Sequence, residues 1–110
     1  MIWRCGVCGY IHDGSSPPQS CPKCGAEASQ YSEVPREEAD QILRARFSND
    51  LHLQLSANLD NVIAIAEEGI SDDLDPGCVD VFTKTRNSAL EAKKMITAEL
   101  AIHMKKGKWN

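Results

Sequence analysis

The last two thirds of the chain carry apolar side chains at helical spacing. Residues 36–68 contain neither glycine nor proline, and the glutamates at 37 and 38 suit a helix N-terminus. Apolar residues recur there every three or four positions, which predicts a helix with a buried stripe. That stripe comprises Phe47, Leu51, Leu55, Leu59, Val62 and Ala66. We expect one continuous helix, despite good capping residues at 48–50, and an end at Gly69.

A second helix is predicted from the residues at its two ends. Asp75 is a natural N-cap, Pro76 suits the first helical position, and Gly107 is expected just past the C-terminus. The connection ISDDLDP, residues 70–76, is short, so the two helices should fold back antiparallel. The second helix offers its own apolar stripe, which comprises Val79, Phe82, Ala89, Ile96 and Leu100. We interpret Cys78, in the first turn, as a packing residue rather than a reactive thiol.

The first third of the chain has a different pattern, with four cysteines within twenty residues. Cys5 and Cys8 form one CxxC pair, and Cys21 and Cys24 form another. Twelve residues separate the two pairs. A stretch this short buries few apolar side chains, so the cysteines are expected to hold it together.

Composition and charge limit the chemistry that these cysteines serve. The chain has 12 Lys+Arg against 16 Asp+Glu, a net charge of -4, and no basic patch of the kind that binds nucleic acid. No apolar run approaches the ~20 residues of a membrane span, and the N-terminus lacks the pattern of a signal peptide. We therefore expect a cytoplasmic protein with neither a nucleic-acid nor a membrane partner, whose thiols stay reduced.

In a reducing compartment, two CxxC pairs indicate one tetrahedral four-thiolate metal site rather than disulfides. Each CxxC turn aims two sulfurs at one point, and two facing turns complete the tetrahedron. Gly6, Gly9 and Gly25 suit such turns, because a backbone free to take positive φ lets amide groups point at the sulfurs. A thioredoxin-like dithiol would need a surrounding βαβ pattern, which the sequence lacks. The ligand set alone does not choose between iron and zinc.

A longer motif surrounds the cysteines. It reads W-x-C-x-x-C-G-Y, then H-x-G, P-P and C-P-x-C-G, with an aromatic residue seven positions after the last cysteine. These positions are Trp3, Cys5, Cys8, Gly9, Tyr10, His12, Gly14, Pro17, Pro18, Cys21, Pro22, Cys24, Gly25 and Tyr31. The motif resembles the short-loop rubredoxin module of rubrerythrins and covers about residues 1–34.

The resemblance implies one iron, held by Cys5, Cys8, Cys21 and Cys24, that passes single electrons. It also implies that the second cysteine of each pair lies nearer the surface. C-P-x-C-G is shared with many zinc ribbons, so a structural zinc ion is the alternative. The aromatic residues of the motif, which are Trp3, Tyr10 and Tyr31, are expected to form a small core around the thiolates.

The rest of the chain departs from the rubrerythrin pattern. The resemblance implies a module that follows a ferritin-like di-iron bundle, whereas here the module comes first and residues 36–110 are too few for four helices. Di-iron sites use Glu-x-x-His motifs, and the nearest approach here is the single pair Glu99 and His103. The sequence therefore does not predict peroxidase activity, and we expect no enzyme.

The resulting prediction is a small metal-knuckle domain, rubredoxin-like with short β-strands, at residues 1–34, followed by an all-α antiparallel helical hairpin at 35–110. The predicted function is transfer of single electrons to or from a redox protein partner, with the hairpin forming a homodimer or a docking site. The alternative is a non-redox adaptor whose zinc ribbon supports a helical interaction module.

Overall fold

The computed structural model describes all residues from Met1 to Asn110 and contains three short strands followed by two long helices. They are β1 (Ile2–Cys5), β2 (Ile11–Asp13), β3 (Tyr31–Glu33), α1 (Arg36–Asp72) and α2 (Pro76–Lys105), with one 3₁₀ turn at Ala28–Gln30. This arrangement confirms the predicted fold class. The chain forms two compact units, residues 1–46 with Asn110 and residues 47–109. The predicted domain boundary at residues 34 and 35 marks the change from strands to helices, and the division into two domains there stays a prediction.

The three strands form an antiparallel sheet in the order β2-β1-β3. β1 lies in the centre, where Trp3 pairs with His12 of β2 and Cys5 pairs with Tyr31 of β3. One small apolar core of this unit consists of Ile2, Ile11, Val34 and Ile42, with Ala39 packed against it. The first turns of α1 therefore belong to the same compact unit as the strands.

Two arginines add ion pairs between the strand region and the first turns of α1. Arg4 donates to Glu38 at 2.7 Å, and Arg46 donates to both carboxylate oxygens of Asp13, at 2.6 and 2.7 Å. The hydrogen bonds from Arg46 hold the pKa of the Asp13 carboxyl below its ordinary value. A bidentate arginine–carboxylate pair fixes direction as well as distance, so it sets the orientation of the end of β2 within this unit.

α1 begins after Pro35 and runs without a break through residues 48–50, as predicted. The predicted end at Gly69 is wrong, because the helix continues to Asp72 and the next residue, Asp73, has a φ of 49°. A Cβ atom at Gly69 would overlap the ring of Phe82 on α2. Gly69 is therefore a packing residue, and the contact with Phe82 explains a glycine that would otherwise only weaken a helix interior.

The two helices pack as an antiparallel hairpin, as predicted. Contacts join Asn49 to His103, Asp60 to Lys93, and Gly69 to Phe82, so residue numbers on α2 decrease as those of their α1 partners increase.

The ends of α2 are also as predicted. The Asp75 carboxylate accepts a hydrogen bond from the Cys78 N–H at 2.7 Å, Pro76 is the first helical residue, and Gly107 has a φ of 69° beyond the C-terminus. The predicted α2 stripe faces the other helix, with Ala89, Ile96 and Leu100 buried.

The predicted stripe on α1 is wrong for most of its members. Phe47 is 71% exposed, and Leu51, Leu55 and Val62 are exposed as well. Within residues 47–72 of α1, the buried or half-buried positions are Ser48, Asn49, His52, Ser56, Leu59, Ile63, Ala66, Gly69 and Ile70. Two stripes with the same spacing run side by side along α1, and the more polar one faces α2.

Polar partners within the hairpin explain why the polar stripe faces inward. Asn49 is 1% exposed, its Nδ2 donates to the Lys108 carbonyl at 2.9 Å, and its Oδ1 accepts from Nδ1 of His103. Glu99 lies 3.2 Å from Nε2 of the same histidine. Because these groups satisfy one another, the buried amide carries no desolvation penalty of the kind that an unpaired group would. Glu99 and His103 thus belong to this network.

The exposed members of the predicted α1 stripe lie on one side of the hairpin together with exposed residues of α2. Residues from both helices line two shallow grooves there, with Val62, Ile65 and Val81 in one, and Leu55 and Met95 in the other. We call this surface the apolar face; it comprises Leu51, Leu55, Val62, Ile65, Val81, Met95 and Ile102. Neither helix combines the length and the apolar character needed to cross a lipid bilayer.

The contact between Gly69 and Phe82 predicts that Gly69→Ala lowers the free energy of unfolding by about 1–3 kcal/mol, since the added methyl group must displace an aromatic ring. This sign is opposite to intrinsic helix propensity, which favours alanine by about 1 kcal/mol. Urea denaturation followed by circular dichroism measures the effect. Gly77→Ala is the matched control, because a Cβ there makes only an ordinary contact at 3.4 Å and should not destabilise the hairpin. A Gly69→Ala variant as stable as the parent would contradict the packing role.

Candidate metal centre

The two CxxC pairs occupy turns of the same construction. The N–H of Gly9 donates to the carbonyl of Cys5 at 2.9 Å, and the N–H of Gly25 donates to the carbonyl of Cys21 at 2.8 Å. Gly9 and Gly25 have φ angles of 82° and 78°, in the left-handed region where a side chain would be strained. The predicted need for glycine is confirmed at these two positions, whereas Gly6, the third glycine of the prediction, does not have a positive φ. Each turn is closed by a glycine directly after the second cysteine.

The two turns bring all four thiols together. The sulfurs of Cys5, Cys8, Cys21 and Cys24 lie within 4.8 Å of one another. Cys5 and Cys24 are 3.7 Å apart, and Cys8 and Cys21 are 3.6 Å apart. Four thiolates at ~2.3 Å from a tetrahedral metal ion would have sulfurs ~3.8 Å apart, whereas a disulfide needs ~2.05 Å. The geometry therefore fits one metal ion bound by four cysteines, with iron and zinc both suited to such a site.

The second cysteine of each pair lies nearer the solvent, as the resemblance implied. Cys5 and Cys21 are 1% and 3% exposed, whereas Cys8 is half-buried and Cys24 is exposed. Val7, next to Cys8, is 64% exposed. The cluster thus has a buried side that faces the sheet and an open side formed by the second half of each turn.

The surroundings of the sulfurs favour thiolates on the buried side. Burial opposes ionisation of Cys21, but its interaction with the nearby Tyr31 hydroxyl and hydrogen bonds from backbone N–H groups lower its pKa to about 6. The N–H of Cys8 likewise lowers the pKa of Cys5. Cys24 also gains a backbone hydrogen bond, yet loss of water around its sulfur and the neighbouring sulfurs raise its pKa to about 12. Four thiolates repel one another at these distances, and a bound cation removes that repulsion.

Two of the three predicted core aromatics surround the sulfurs. The Trp3 indole Nε1 donates to the Gly14 carbonyl at 3.0 Å, and Tyr31 is buried against Cys5 and Cys21. The prediction is wrong for Tyr10, whose side chain is 37% exposed. The hydroxyl of Tyr31 is buried without a hydrogen-bond partner of good geometry. Sequence reasoning missed this feature, because the position of a tyrosine in a motif does not show which groups surround its hydroxyl.

Cys78 lies far from this cluster in sequence and is not part of it. It is half-buried in the first turn of α2. Its interaction with Asp75, together with burial, raises the pKa of its thiol. A raised pKa keeps the thiol protonated and unreactive, which agrees with a packing role.

Comparison with known proteins places the cysteine turns in a family. Residues 3–32 match the family model of the rubrerythrin rubredoxin-like domain. Reverse rubrerythrin-1 of Clostridium acetobutylicum is 47% identical over 32 residues, which are 29% of this chain and 18% of that protein. Rubrerythrin of Nitratidesulfovibrio vulgaris is 54% identical over 29 residues, which are 26% of this chain and 15% of that protein.

The family-model match is confined to the cysteine turns and the strands. The chain spans less than a fifth of the length of either of these curated relatives. No solved structure matches the chain significantly. The two helices that follow form a hairpin, and no ferritin-like domain is evident. The rubredoxin-like module is therefore shown for residues 3–32 alone.

The sulfur geometry predicts that Cys21→Ser removes the metal from the purified protein, since one buried ligand is lost and its thiolate charge with it. Elemental analysis and native mass spectrometry measure the bound metal. We expect a parent with one metal ion per chain and a variant with essentially none, while circular dichroism shows that the helices persist. Cys78→Ser is the matched control and should retain the ion. Full metal content in the Cys21 variant would show that the four thiols do not act as one site.

Proposed function

We propose that the cysteine turns bind one iron ion and carry single electrons to or from a redox protein partner. The observation that carries this proposal is the match of residues 3–32 to a rubrerythrin rubredoxin-like domain, together with four cysteine sulfurs that lie within 4.8 Å of one another. Iron bound by four thiolates supplies a one-electron couple between ferrous and ferric states. The chain then acts as a carrier rather than an enzyme, in a reducing compartment such as the cytoplasm.

In this proposal the open side of the cluster is the exchange surface. Cys24 is exposed and Cys8 is half-buried, so a partner protein docked there comes close to two of the four sulfurs. Val7 adds an exposed apolar side chain beside them. The buried ligands Cys5 and Cys21 have the other role, since their position against the sheet fixes the geometry of the centre and excludes water from that side.

The second candidate function is that of a non-redox adaptor with a structural zinc ion. It is supported by the small share of each relative that the match covers and by the exposed apolar face of a hairpin that has no counterpart in the matched segment. Tetrahedral thiolate ligation suits zinc as well as iron. Here the metal would only stabilise the module, and the hairpin would carry the function.

We further propose that two chains associate through the apolar face as a homodimer. This face repeats on both helices of one hairpin, so a two-fold axis would place the two copies face to face as a four-helix bundle. Ile65, Val81 and Met95 are 54%, 60% and 66% exposed, and a contiguous surface of such residues is unusual on a monomer. The opposite side of the hairpin carries the ion pair between Asp60 and Lys93, which suits contact with water.

The metal proposal predicts a red protein after aerobic purification, from thiolate-to-ferric charge transfer, that bleaches with dithionite. Elemental analysis of protein made in iron-rich, zinc-poor medium gives the metal directly, which controls for zinc loading during overexpression. One iron per chain with reversible bleaching supports the electron carrier. A colourless protein that remains zinc-bound under those conditions refutes it and favours the adaptor.

The dimer proposal predicts that Ile65→Glu converts a dimer at micromolar concentration into a monomer, because a buried charge replaces an apolar contact at the interface. Sedimentation velocity or light scattering measures the mass. Leu53→Glu is the matched control, since Leu53 is 51% exposed, close to the 54% of Ile65, but lies off the apolar face. A well-behaved monomer in the parent protein would refute the dimer and leave the face for another protein.

A further inference from the structure

The hydroxyl group of Tyr31 is a buried polar group with no partner of hydrogen-bonding geometry. The residue is 8% exposed, opens β3, and pairs with Cys5 across the sheet. Its ring packs in the cluster that contains Cys5 and Cys21. A buried hydroxyl that makes no hydrogen bond costs about 1–3 kcal/mol. The position is therefore costly unless the hydroxyl has an acceptor.

The sulfur of Cys21 is the acceptor that the surroundings offer. The Tyr31 ring packs in one buried cluster with Cys5 and Cys21, and the cysteine sulfurs are the hydrogen-bond acceptors among the side chains of that cluster. Of these sulfurs, that of Cys21 is the one that interacts with the Tyr31 hydroxyl. Sulfur is a weak acceptor as a thiol and a much stronger one as a thiolate.

We propose that the Tyr31 hydroxyl donates a hydrogen bond to the Cys21 thiolate of the metal-loaded centre and thereby raises the reduction potential of bound iron. The redox part of this inference rests on the proposed iron centre, whereas the hydrogen bond holds for any divalent metal that the four thiolates bind. Tyr31 is then a positioning residue that acts through Cys21. Its donor is a side chain, so it can be removed without altering the backbone donors of the turns.

The sign of the effect follows from charge. Four thiolates give the ferric centre one net negative charge and the ferrous centre two, so the Cys21 sulfur is the better acceptor in the ferrous state. A donor that binds the reduced state more tightly shifts the equilibrium towards reduction. Loss of the donor shifts it back. The difference between the two states is a fraction of a charge-assisted hydrogen bond, which corresponds to a few-fold change in the equilibrium constant.

The test compares the parent chain with Tyr31→Phe and Tyr10→Phe, each reconstituted with iron and, separately, with Co²⁺. Tyr31→Phe keeps the buried ring and should lower the equilibrium constant for reduction about fivefold, which is about 40 mV for one electron. It should also move the thiolate-to-cobalt charge-transfer band to lower energy, since the sulfur orbitals lose a proton donor. Tyr10→Phe removes a hydroxyl from an exposed tyrosine of the same module and should change neither reading.

A third measurement uses the unaltered chain, so that it does not depend on folding of a variant. With ¹¹³Cd bound, the Tyr31 hydroxyl proton should exchange slowly with water and show coupling to the metal through sulfur in NMR spectra. An unchanged potential and band in Tyr31→Phe, or a hydroxyl proton that exchanges as fast as that of Tyr10, overturns the inference. These outcomes are independent of the native metal. A zinc protein with the Tyr31 effects refutes only the electron carrier, and an iron protein without them refutes only the hydrogen bond.

Discussion

The convergence of four thiolates on one point is the constraint on which the N-terminal unit depends. Its strands are three or four residues long, and its apolar core consists of few side chains, so burial alone supplies little stability. Metal binding to four cysteines provides folding free energy of a size that such a core lacks. The glycines after each second cysteine, the backbone donors and Tyr31 then follow as requirements, because they aim the sulfurs and balance their charge. The arginine pairs to Asp13 and Glu38 attach the first turns of α1 to this unit.

In the hairpin the decisive constraint is different, because α1 carries two stripes of similar spacing and only one of them can pack against α2. Burial of Asn49 opposite His103 has a low desolvation cost, because the Lys108 carbonyl and the Glu99 carboxylate complete the hydrogen-bond network. A polar group that is satisfied in a single arrangement fixes the alignment of two helices more strictly than interchangeable leucines do. The alignment leaves Leu55 and Ile65 at the surface, where they are available to a second chain. The same feature therefore defines the hairpin and exposes the proposed interface.

The sequence was sufficient for features that depend on local chemistry. The two CxxC turns, the glycines after their second cysteines and the caps at Asp75 and Gly107 each follow from a few adjacent residues, and the structure has them where predicted. The sequence was insufficient for features that depend on contacts with residues far away along the chain. Gly69 resembles a helix end until Phe82 is placed against it, and the inward stripe of α1 cannot be chosen without the partners of Asn49. Tyr10 and Tyr31 are both aromatic residues of the motif, and the sequence does not distinguish them. In the structure Tyr31 pairs with Cys5 across the sheet and is buried, whereas Tyr10 is exposed.

The unequal exposure of the four cysteines also determines which ligands of the centre oxidants and chelators attack first. Oxidants and competing chelators reach an exposed thiolate before a buried one, so Cys24 is the first ligand that they meet. Cys5 and Cys21 are shielded because they are buried in one cluster with Tyr31. The resistance of the centre to oxidants and chelators is therefore set by its two outer ligands, Cys24 and Cys8.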